Sequence, residues 1–401
     1  MTSFLAAALF CAAATGLAAV AVQCMLLRRH LRAARLEPTG ATPISVLKPL
    51  CGVDDGLEEN LASFAAIEHP GYEVLLGVRS PRDPAWAIAC AAVRRWPDRF
   101  RLVVQRGEPG QNPKVNQLVT LARAARHEVL VISDSNVRVD PGYLTEIAAL
   151  LDDEAVGLVT HLIVGAGEQR LGSVMDHLHL AGSISPAIVA ARPLMRRDVV
   201  VGKSMALRRR DLAAVGGFEA VKDVLAEDHV LGELVTGLLG KRVAIAHCPV
   251  QNTSERRTVR QFAARYARWG VLQRQAAGPL LYGSYALLNP VLLAGAGAAL
   301  QRTPAALAGF LCTCAARSAL DAAAVTALRP GRVRLAHLAV SPLKDLVFGA
   351  AWAYGLARRK VVWRGNRIVV GPGTRIASPQ LEAAHGSLAA AIRGPEGIHG
   401  S

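Results

Sequence analysis

The chain begins with an apolar stretch that limits its possible folds more than any other feature. Residues 4–27 contain no charged side chain, and about 20 apolar residues in a helix are enough to cross a bilayer. Basic residues follow directly: Arg28, Arg29, His30, Arg32 and Arg35. Because basic flanks stay on the cytoplasmic side, the pattern predicts an anchor whose amino terminus faces outward. A cleaved signal peptide is the alternative, but no basic residue precedes the stretch, which is also longer than a signal core.

Composition supports a protein that works at a membrane. Hydrophobic residues make up 52% of the 401 residues, the mean hydropathy is +0.28 and the formal net charge is +15. Such a charge predicts an anionic partner, either nucleic acid or an anionic membrane face. The excess is mainly arginine beside apolar runs, so we expect the membrane and no nucleic acid.

The seven cysteines show no spacing typical of zinc ligands. We expect them to be reduced, small apolar side chains. Reduced cysteines place the main domain in the cytosol, and the apolar stretches predict an integral membrane protein.

From Pro43 to about Val250 the pattern changes to strands that alternate with helices. The predicted strands are 44–47, 72–78, 101–105 and 128–133, and the predicted helices are 58–67, 84–95 and 116–125. This alternation predicts parallel βαβ units, which bind ligands at the carboxyl ends of their strands. Asp83 and Asp134 both follow such strands.

Each of these two aspartates has a functional and a structural interpretation. Asp134-Ser135-Asn136 offers a carboxylate and an amide oxygen to a hard divalent cation that bridges phosphates, but the same tripeptide is a common turn. Asp83, followed by Pro84, suits a helix amino cap. Contact with the base or ribose of a nucleotide is compatible with that cap.

Glu227-Asp228 precedes an amphipathic helix predicted over 229–239. Acidic residues at a helix start are favoured by the helix dipole. A carboxylate near a cation-rich site would also stay ionised, and it could accept a proton as a general base.

Arg265, Arg268 and Trp269 lie in a predicted helix over 259–272, where positions i, i+3 and i+4 share a face. Two guanidinium groups suit a diphosphate, and the indole offers a flat wall to a sugar or an acceptor. A basic helix lying on anionic lipid is the alternative.

Two further motifs do not support a site of their own. Gly202-Lys203-Ser204 resembles the end of a P-loop, but the first glycine of that pattern is replaced by Arg197, so we reject an ATPase. His177 and His179 have no third ligand nearby and are expected to be surface or core residues rather than a metal site.

Three apolar stretches follow the Arg/Trp motif, over 280–300, 304–328 and 343–356. We expect the first two to span the membrane and the third to span it or re-enter. Arg317 and Asp321 lie four residues apart and are expected to pair, and Lys344-Asp345 begins the third stretch. Basic residues follow it, and from Ser378 onward the composition predicts a weakly ordered tail.

Taken together, the ordered motifs resemble those of the ceramide glucosyltransferases, family 21 of the inverting nucleotide-sugar glycosyltransferases. The resemblance covers residues 1 to about 370 and is to a bacterial member close to the branch that glycosylates hopanoids, which implies a bacterial inner membrane. The matching segments are Ser45-Val46-Leu47-Lys48-Pro49-Leu50-Cys51-Gly52, Tyr72-Glu73-Val74-Leu75-Leu76, Asp83-Pro84-Ala85, Asn112-Pro113-Lys114-Val115-Asn116-Gln117-Leu118, Asp134-Ser135-Asn136-Val137-Arg138-Val139, Ala226-Glu227-Asp228, and Arg265 with Arg268-Trp269.

The resemblance implies an α/β fold of GT-A type, a nucleotide-diphosphate hexose donor and a lipid acceptor reached at the membrane face. It implies an anchor over 1–35, a cytosolic GT-A domain over 43–275, membrane helices over 278–357 and a basic tail over 358–401. It also implies the following roles: Asp228 as general base; Lys48, Asp83, Lys114, Asn116 and Asp134 around the donor; Asp134 also at a divalent cation, Mg²⁺ or Mn²⁺; and Arg265, Arg268 and Trp269 at the diphosphate and acceptor.

Two positions depart from the family pattern. Asn136 replaces a second aspartate of many metal-dependent relatives, so metal dependence is expected to be weaker. Ser185-Pro186 stands where the animal enzymes resemble His-Pro, so the acceptor side of the pocket is expected to differ.

The sequence therefore predicts an integral membrane enzyme that moves glucose or a related hexose from a UDP-sugar to the primary hydroxyl of ceramide or a similar lipid. A hopanoid N-acetylglucosaminyl transferase and a processive polysaccharide synthase are alternatives within the glycosyltransferases. A basic membrane-binding protein without activity is the alternative outside them.

Overall fold

The structure is a computed structural model that describes residues 1–34, 36, 37, 40, 42–329, 334–363 and 366–377. Arg35, Arg364 and the tail from Ser378, for which the sequence carried predictions, lie outside these residues.

The apolar stretch at the start of the chain forms one helix, α1 (Thr2–Arg32), of 31 residues. Its last turn carries Arg29, His30 and Arg32, where basic side chains also complement the carboxyl end of the helix dipole. The helix predicted for the anchor is therefore present, with its basic flank at the carboxyl end.

The middle of the chain alternates strands and helices as the sequence predicts. In chain order the elements are β1 (Ile44–Pro49), α2 (Leu57–Ala65), β2 (Tyr72–Val78), α3 (Trp86–Arg95), β3 (Phe100–Val104), α4 (Pro113–Ala124), β4 (Val129–Ser133), β5 (Val137–Arg138), α5 (Tyr143–Leu151), β6 (Val156–Ala166), α6 (Leu171–His179), α7 (Ser185–Met195), β7 (Ser204–Arg208), α8 (Arg209–Ala214), α9 (Glu227–Leu239), β8 (Arg242–Thr253) and α10 (Val259–Ala277). A π-helical turn, Leu180–Ile184, joins α6 to α7, and a 3₁₀ turn, Phe218–Val221, precedes α9.

The eight strands form one mixed sheet in the order β3-β2-β1-β4-β7-β6-β8-β5. The first four are parallel, β7 is antiparallel to both of its neighbours, and β6 and β8 are again parallel. Helices cover both faces, so β1, β2 and β4 are buried along their whole length. Near-continuous apolar runs in these strands reflect that burial, and the predicted α/β fold with a mostly parallel sheet flanked by helices is confirmed.

Alternation along each strand divides the interior between two apolar cores. Val46 and Val131 point into one core with Phe64 from α2, whereas Leu47 and Leu130 point into the other. Successive strand residues face opposite sides of a sheet, so the two cores fix the register of the parallel strands. That register also sets where the strands end.

The carboxy-terminal apolar stretches form a group of helices. They are α11 (Pro279–Ser284), a 3₁₀ turn (Tyr285–Leu288), α12 (Pro290–Gln301), α13 (Pro304–Leu328), α14 (Leu335–Leu338) and α15 (Ser341–Ala357). Within the described residues, α1 and α13 are long and apolar enough to cross a membrane.

The apolar stretch over 280–300, predicted to span the membrane, is not one straight helix, because the chain bends by 75° between Pro279–Leu288 and Pro290–Gln301. Pro290 has no N–H to continue the preceding helix. Asn289 starts the next one: its Oδ1 accepts from Leu292 N at 3.1 Å, and its Nδ2 donates to the Asp345 carbonyl at 2.7 Å. The pair is either a broken span or a re-entrant element.

A buried group of four charges joins α13 to α15. Arg317 pairs with Asp321 at 2.7 Å, which confirms the predicted pairing, and with Asp345 at 2.9 Å. Lys344 pairs with the same two carboxylates at 2.8 and 3.0 Å. All four side chains are at most 5% exposed. Arg317 also donates to Ser183 Oγ, at 2.8 Å, in the π-helical turn.

The basic segment after α15 forms a small sheet that the sequence analysis did not predict. Its antiparallel strands are β9 (Lys360–Trp363), β10 (Asn366–Val370) and β11 (Ile376–Ala377). Val361 and Val370 pack against Leu225, before α9, and Val271, in α10. The sheet therefore contacts two segments of the α/β domain at once.

Candidate active site

The carboxyl ends of the parallel strands form an edge where the predicted site residues converge. β4 ends at Ser133, and the antiparallel register pairs Ser133 with Ser204, the first residue of β7. The residues just beyond that pair are Asp134 and Lys203, and Asp134 N donates to the Lys203 carbonyl at 3.2 Å. Two side chains that are far apart in the sequence therefore meet at the edge.

The Asp134 carboxylate lies between two ammonium groups. Its Oδ1 is 2.9 Å from Lys114 Nζ, and its Oδ2 is 2.8 Å from Lys203 Nζ. Burial alone would raise its pKa, but the two lysines hold the pKa of Asp134 well below its ordinary value. Asp134 is therefore ionised at any physiological pH.

Lys114 organises the acidic side of the site from the first turn of α4. Asn112 caps this helix by accepting from the Lys114 and Val115 N–H groups. The Lys114 ammonium reaches Asp134, Glu227 Oε1 at 2.7 Å and the Gly202 carbonyl at 3.2 Å. Burial opposes its charge, but the nearby carboxylates raise the pKa of Lys114 above its ordinary value. Its three donors all have acceptors.

The turn that carries Lys203 also positions the predicted base. Gly202 N donates to Asp228 Oδ2 at 2.5 Å, and His229 N donates to Asp228 Oδ1 at 2.9 Å. A Cβ atom at Gly202 would lie 2.8 Å from Asp228 Oδ2, so only glycine permits this approach. Each carboxylate oxygen still has a lone pair for a further proton donor.

Glu227 and Asp228, expected just before the helix, are its first two residues. Glu227 is buried against Lys114, whereas Asp228 is half-buried. Burial raises the pKa of Glu227 above its ordinary value even though Lys114 favours its charged form. Of the two, Asp228 is the carboxylate that a substrate can reach.

The Arg/Trp motif lies on α10, which a capping box between Thr258 and Gln261 starts. Arg265 Nη1 donates to Asp176 Oδ2 at 3.1 Å, and its guanidinium lies 4.8 Å from the Trp269 ring centroid. Arg265 is 6% exposed, and its second terminal nitrogen, Nη2, has no partner among the described residues. A buried, unpartnered donor of this kind suits an anionic ligand. Arg268 is half-buried on the same helix.

Three of the residues predicted around the donor form hydrogen bonds with backbone groups of the segments that build the site. Lys48 is fully buried and donates to the Asp134 carbonyl at 2.7 Å; burial lowers the pKa of its ammonium to about 7 although Asp134 opposes the shift. Asp83 Oδ1 accepts from Gly52 N at 2.9 Å and joins the ends of β1 and β2. Asn116 bonds both backbone groups of Gly110 and fixes the loop before α4.

Sequence reasoning missed three residues of this site. Lys203 was visible in the rejected Gly-Lys-Ser motif, but its contact with Asp134 depends on a non-local antiparallel strand pairing. Asp176, buried on α6, accepts from Arg265 and, at 2.8 Å, from the Tyr266 hydroxyl; no local motif marks it. Asn112 donates to the Val224 carbonyl at 2.7 Å, close to α9.

The residues present do not fit the divalent cation expected at Asp134 and Asn136. Lys203 Nζ lies 2.8 Å from both Asp134 Oδ2 and Asn136 Oδ1, which are the oxygens such an ion would bind. Lys114 engages the other oxygen of Asp134. The described residues contain no cluster of three His, Cys, Asp or Glu side chains able to hold a metal.

Comparison with known proteins gives the family. The sequence profile of Glycosyl transferase family 21 matches residues 8–376. The chain belongs to this family. The resemblance found in the sequence is thereby confirmed, and the match extends from α1 through the carboxy-terminal sheet.

The most similar relatives include ceramide glucosyltransferases. Ceramide glucosyltransferase 1 of Caenorhabditis elegans is 29% identical over 240 residues, covering 59% of this chain and 51% of the relative. The ceramide glucosyltransferase of Komagataella phaffii is 29% identical over 154 residues, covering 37% of this chain and 30% of the relative. The aligned part of the family 21 chain thus spans about half the length of the first relative.

Among solved structures, a mannosyltransferase from Pyrobaculum calidifontis in complex with GDP-Man and Mn²⁺ aligns with 88% of this chain and 99% of its own. The TM-score is 0.48 and the sequence identity 19%.

Proposed function

We propose that this family 21 protein is an inverting hexosyltransferase of a membrane surface. It transfers glucose or a related hexose from a UDP-sugar to the primary hydroxyl of ceramide or a similar lipid. The observation that carries the proposal is the position of Asp228, a reachable carboxylate held by Gly202, whose carbonyl accepts from the Lys114 ammonium.

The proposed chemistry is one in-line displacement. Asp228 accepts the proton of the acceptor hydroxyl while its oxygen attacks the anomeric carbon, and the bond from that carbon to the diphosphate breaks. Lys203 and the unpartnered Nη2 of Arg265 receive the negative charge that develops on the diphosphate. Because the displacement is direct, no covalent intermediate with the enzyme is required.

The arrangement of helices supports a lipid acceptor. α10 carries the Arg/Trp motif and leads directly into α11 and α12, and Tyr266 of α10 packs against Phe348 of α15 with ring centroids 5.9 Å apart. The diphosphate-binding side chains are therefore continuous with the apolar helices. We propose that the α/β domain lies on the cytosolic face, next to the basic end of α1.

Replacement of Asp228 by asparagine tests the base. Asp228→Asn keeps the shape of the side chain but removes the proton acceptor and leaves one oxygen to accept from the Gly202 and His229 N–H groups, so turnover should fall about 100-fold or more. UDP binding, measured by calorimetry on the full chain in detergent, should change by less than about threefold because the lysines remain. Asp153→Asn is the matched control, since Asp153 precedes β6 at the opposite edge of the sheet, where it accepts from one backbone N–H group, that of Ala155, and forms an ion pair with Arg242.

Transfer at a near-normal rate by the Asp228→Asn protein would show that another group is the base. A panel of substrates tests the donor and the acceptor. UDP-glucose and UDP-N-acetylglucosamine are each supplied with ceramide and with a polyhydroxylated hopanoid, and the product is identified by mass spectrometry. A single-hexose ceramide supports the proposal. A glycosylated hopanoid would favour the hopanoid transferase, and a long polymer would favour the polysaccharide synthase. Membrane binding without turnover would favour a membrane-binding protein without activity.

A further inference from the structure

The Lys203 ammonium occupies the position between the two oxygens that an Asp-x-Asn motif offers to a metal ion. It lies 2.8 Å from Asp134 Oδ2 and 2.8 Å from Asn136 Oδ1. The antiparallel pairing of β4 with β7 places it there, since Ser133 and Ser204 are register partners. The strand pairing therefore brings together the two turns that carry these residues.

The hydrogen-bond capacity of the two lysines differs. An ammonium group has three donors and no acceptor. Lys114 directs all three to Asp134, Glu227 and the Gly202 carbonyl, so it has none left for a ligand. Lys203 has two acceptors among the described residues, Asp134 and Asn136, and keeps one donor.

A divalent ion at this place would have to displace Lys203. The ion and the ammonium would compete for the same two oxygens, and like charges within about 4 Å repel strongly in a partly buried site. Asp134 could not compensate through its other oxygen, because Lys114 binds it at 2.9 Å. Lys203 is 14% exposed and Asp134 25% exposed, so a ligand entering from the edge can reach both.

We propose that Lys203 takes the place of the divalent cation: held by Asp134 and Asn136, it donates its remaining hydrogen bond to the diphosphate of the donor, which then binds without a metal ion. The buried, unpartnered Nη2 of Arg265 supplies a second donor to the same diphosphate. This inference rests on the proposed function for the presence of a nucleoside diphosphate. It does not depend on the sugar or on the acceptor lipid.

Two measurements on the detergent-purified full chain test it. The first is UDP binding by calorimetry in EDTA and in MgCl₂. The wild type should bind with dissociation constants within about twofold of each other, and Lys203→Met should bind about 10-fold or more weakly in EDTA, as expected for loss of a charged hydrogen bond. Lys203→Arg, which keeps the charge, should recover part of the affinity.

The second measurement is Mn²⁺ binding by electron paramagnetic resonance without any nucleotide. The wild type should leave equimolar Mn²⁺ free, whereas Lys203→Met, with Asp134 Oδ2 and Asn136 Oδ1 released, should bind it. Lys241→Met is the control: this lysine pairs with Asp211 and Glu154 away from the edge, so the charge change is the same but both results should match the wild type.

The outcomes separate the two proposals. Loss of wild-type UDP binding in EDTA, stoichiometric Mn²⁺ binding by the wild type, or unchanged UDP binding by Lys203→Met would each overturn the role of Lys203. If the wild type binds GDP or ADP but not UDP, the donor proposal fails while the EDTA and Mn²⁺ results still decide the role of Lys203. If it binds no nucleoside diphosphate in either buffer, both proposals fail.

Discussion

His161 lies in β6 beneath the active-site edge and has almost no solvent exposure. Its Nδ1 is 2.9 Å from the hydroxyl of Ser204, the residue after Lys203, and that hydroxyl is 2.6 Å from the Tyr143 hydroxyl. Burial lowers the pKa of His161 to about 4, although Glu146 opposes the shift. The ring is therefore neutral at pH 7 and supports the start of β7 without adding charge.

This shift predicts a loss of stability in acid. Between pH 6.5 and 4 the unfolded chain binds a proton at this histidine that the folded protein does not, so the free energy of unfolding falls as the pH falls. At pH 5 the contribution is about 2 kcal/mol. His161→Gln should therefore show a smaller drop in melting temperature between pH 7 and pH 5 than the wild type, measured by intrinsic fluorescence.

His127→Gln is the control, because that side chain is partly exposed and its replacement should leave the drop unchanged. An equal drop in His161→Gln and in the wild type would show that other groups cause the acid sensitivity.

At this scale the sequence identified most of the charged residues of the site but not the contacts between them. Asp134 and Asp228 were found because each lies at the end or start of a recognisable element. Lys203 was seen and set aside, since its partner Asp134 is brought to it by an antiparallel strand pairing that no local pattern encodes. Lys48 was expected beside the donor, but it is buried under Asp134.

Among the elements, α13 and α15 depend on a buried set of four charges with no net charge. Arg317 and Lys344 each contact both Asp321 and Asp345. In a medium of low polarity an uncompensated charge is far more costly than a compensated group. The stability of the α13/α15 pair should therefore depend on the net charge of this group more than on how many charges it contains.

Removing one member should be worse than removing a matched pair. Lys344→Met leaves one excess negative charge and should destabilise the protein by about 3–5 kcal/mol. The double variant Lys344→Met with Asp345→Asn restores neutrality and should recover part of that loss. Melting temperatures in detergent, read by size-exclusion chromatography after heating, test this order.

A double variant that melts no higher than Lys344→Met alone would contradict the balance argument. Arg302→Met is a control for loss of a basic side chain among these helices, since Arg302 lies at the end of α12, outside the group of four.

Elements that depend on local sequence patterns were predicted well, whereas contacts that depend on packing between distant segments were not. From apolar runs and turn residues, the bounds of β1, β2, β4 and the helices between them were predicted to within a few residues. The spacing of Arg317 and Asp321 predicted their pairing, but the contacts with Lys344 and Asp345 depend on how two helices pack. The bend at Asn289-Pro290 had a visible signal, because proline interrupts a helix, yet the apolar composition suggested one span.

At the scale of the whole molecule, the carboxy-terminal sheet joins the segment before Asp228 to α10. Leu225 N donates to the Thr374 carbonyl at 2.9 Å, and Ile376 N donates to the Asp223 carbonyl at 2.8 Å. Val361 and Val370 pack on both Leu225 and Val271. The segment that leads to Asp228 is thus fixed from outside the α/β domain.

Truncation should separate this role from membrane insertion. A chain that ends after Arg359 keeps all apolar helices but loses the sheet, so turnover should fall about 10-fold or more while the protein still fractionates with membranes. A chain that ends after Ala377 retains every contact described above and should keep its activity.

Full activity of the chain truncated after Arg359 would show that the sheet is not needed to position Asp228. No strand was predicted here, because the three strands are short and the segments that they contact lie far away in the chain. Contacts between segments that are far apart in the chain cannot be recognised from local sequence patterns.

The position of this sheet in the chain has a consequence during synthesis. A ribosome completes β1 to α10, and then the apolar helices, before the residues that pair with Asp223 and Leu225 emerge. The last contacts made are therefore those that steady the segment carrying Asp228. On the proposed function, a nascent chain that has not yet reached β9 has the residues of the site but lacks the contacts that steady the segment before Asp228.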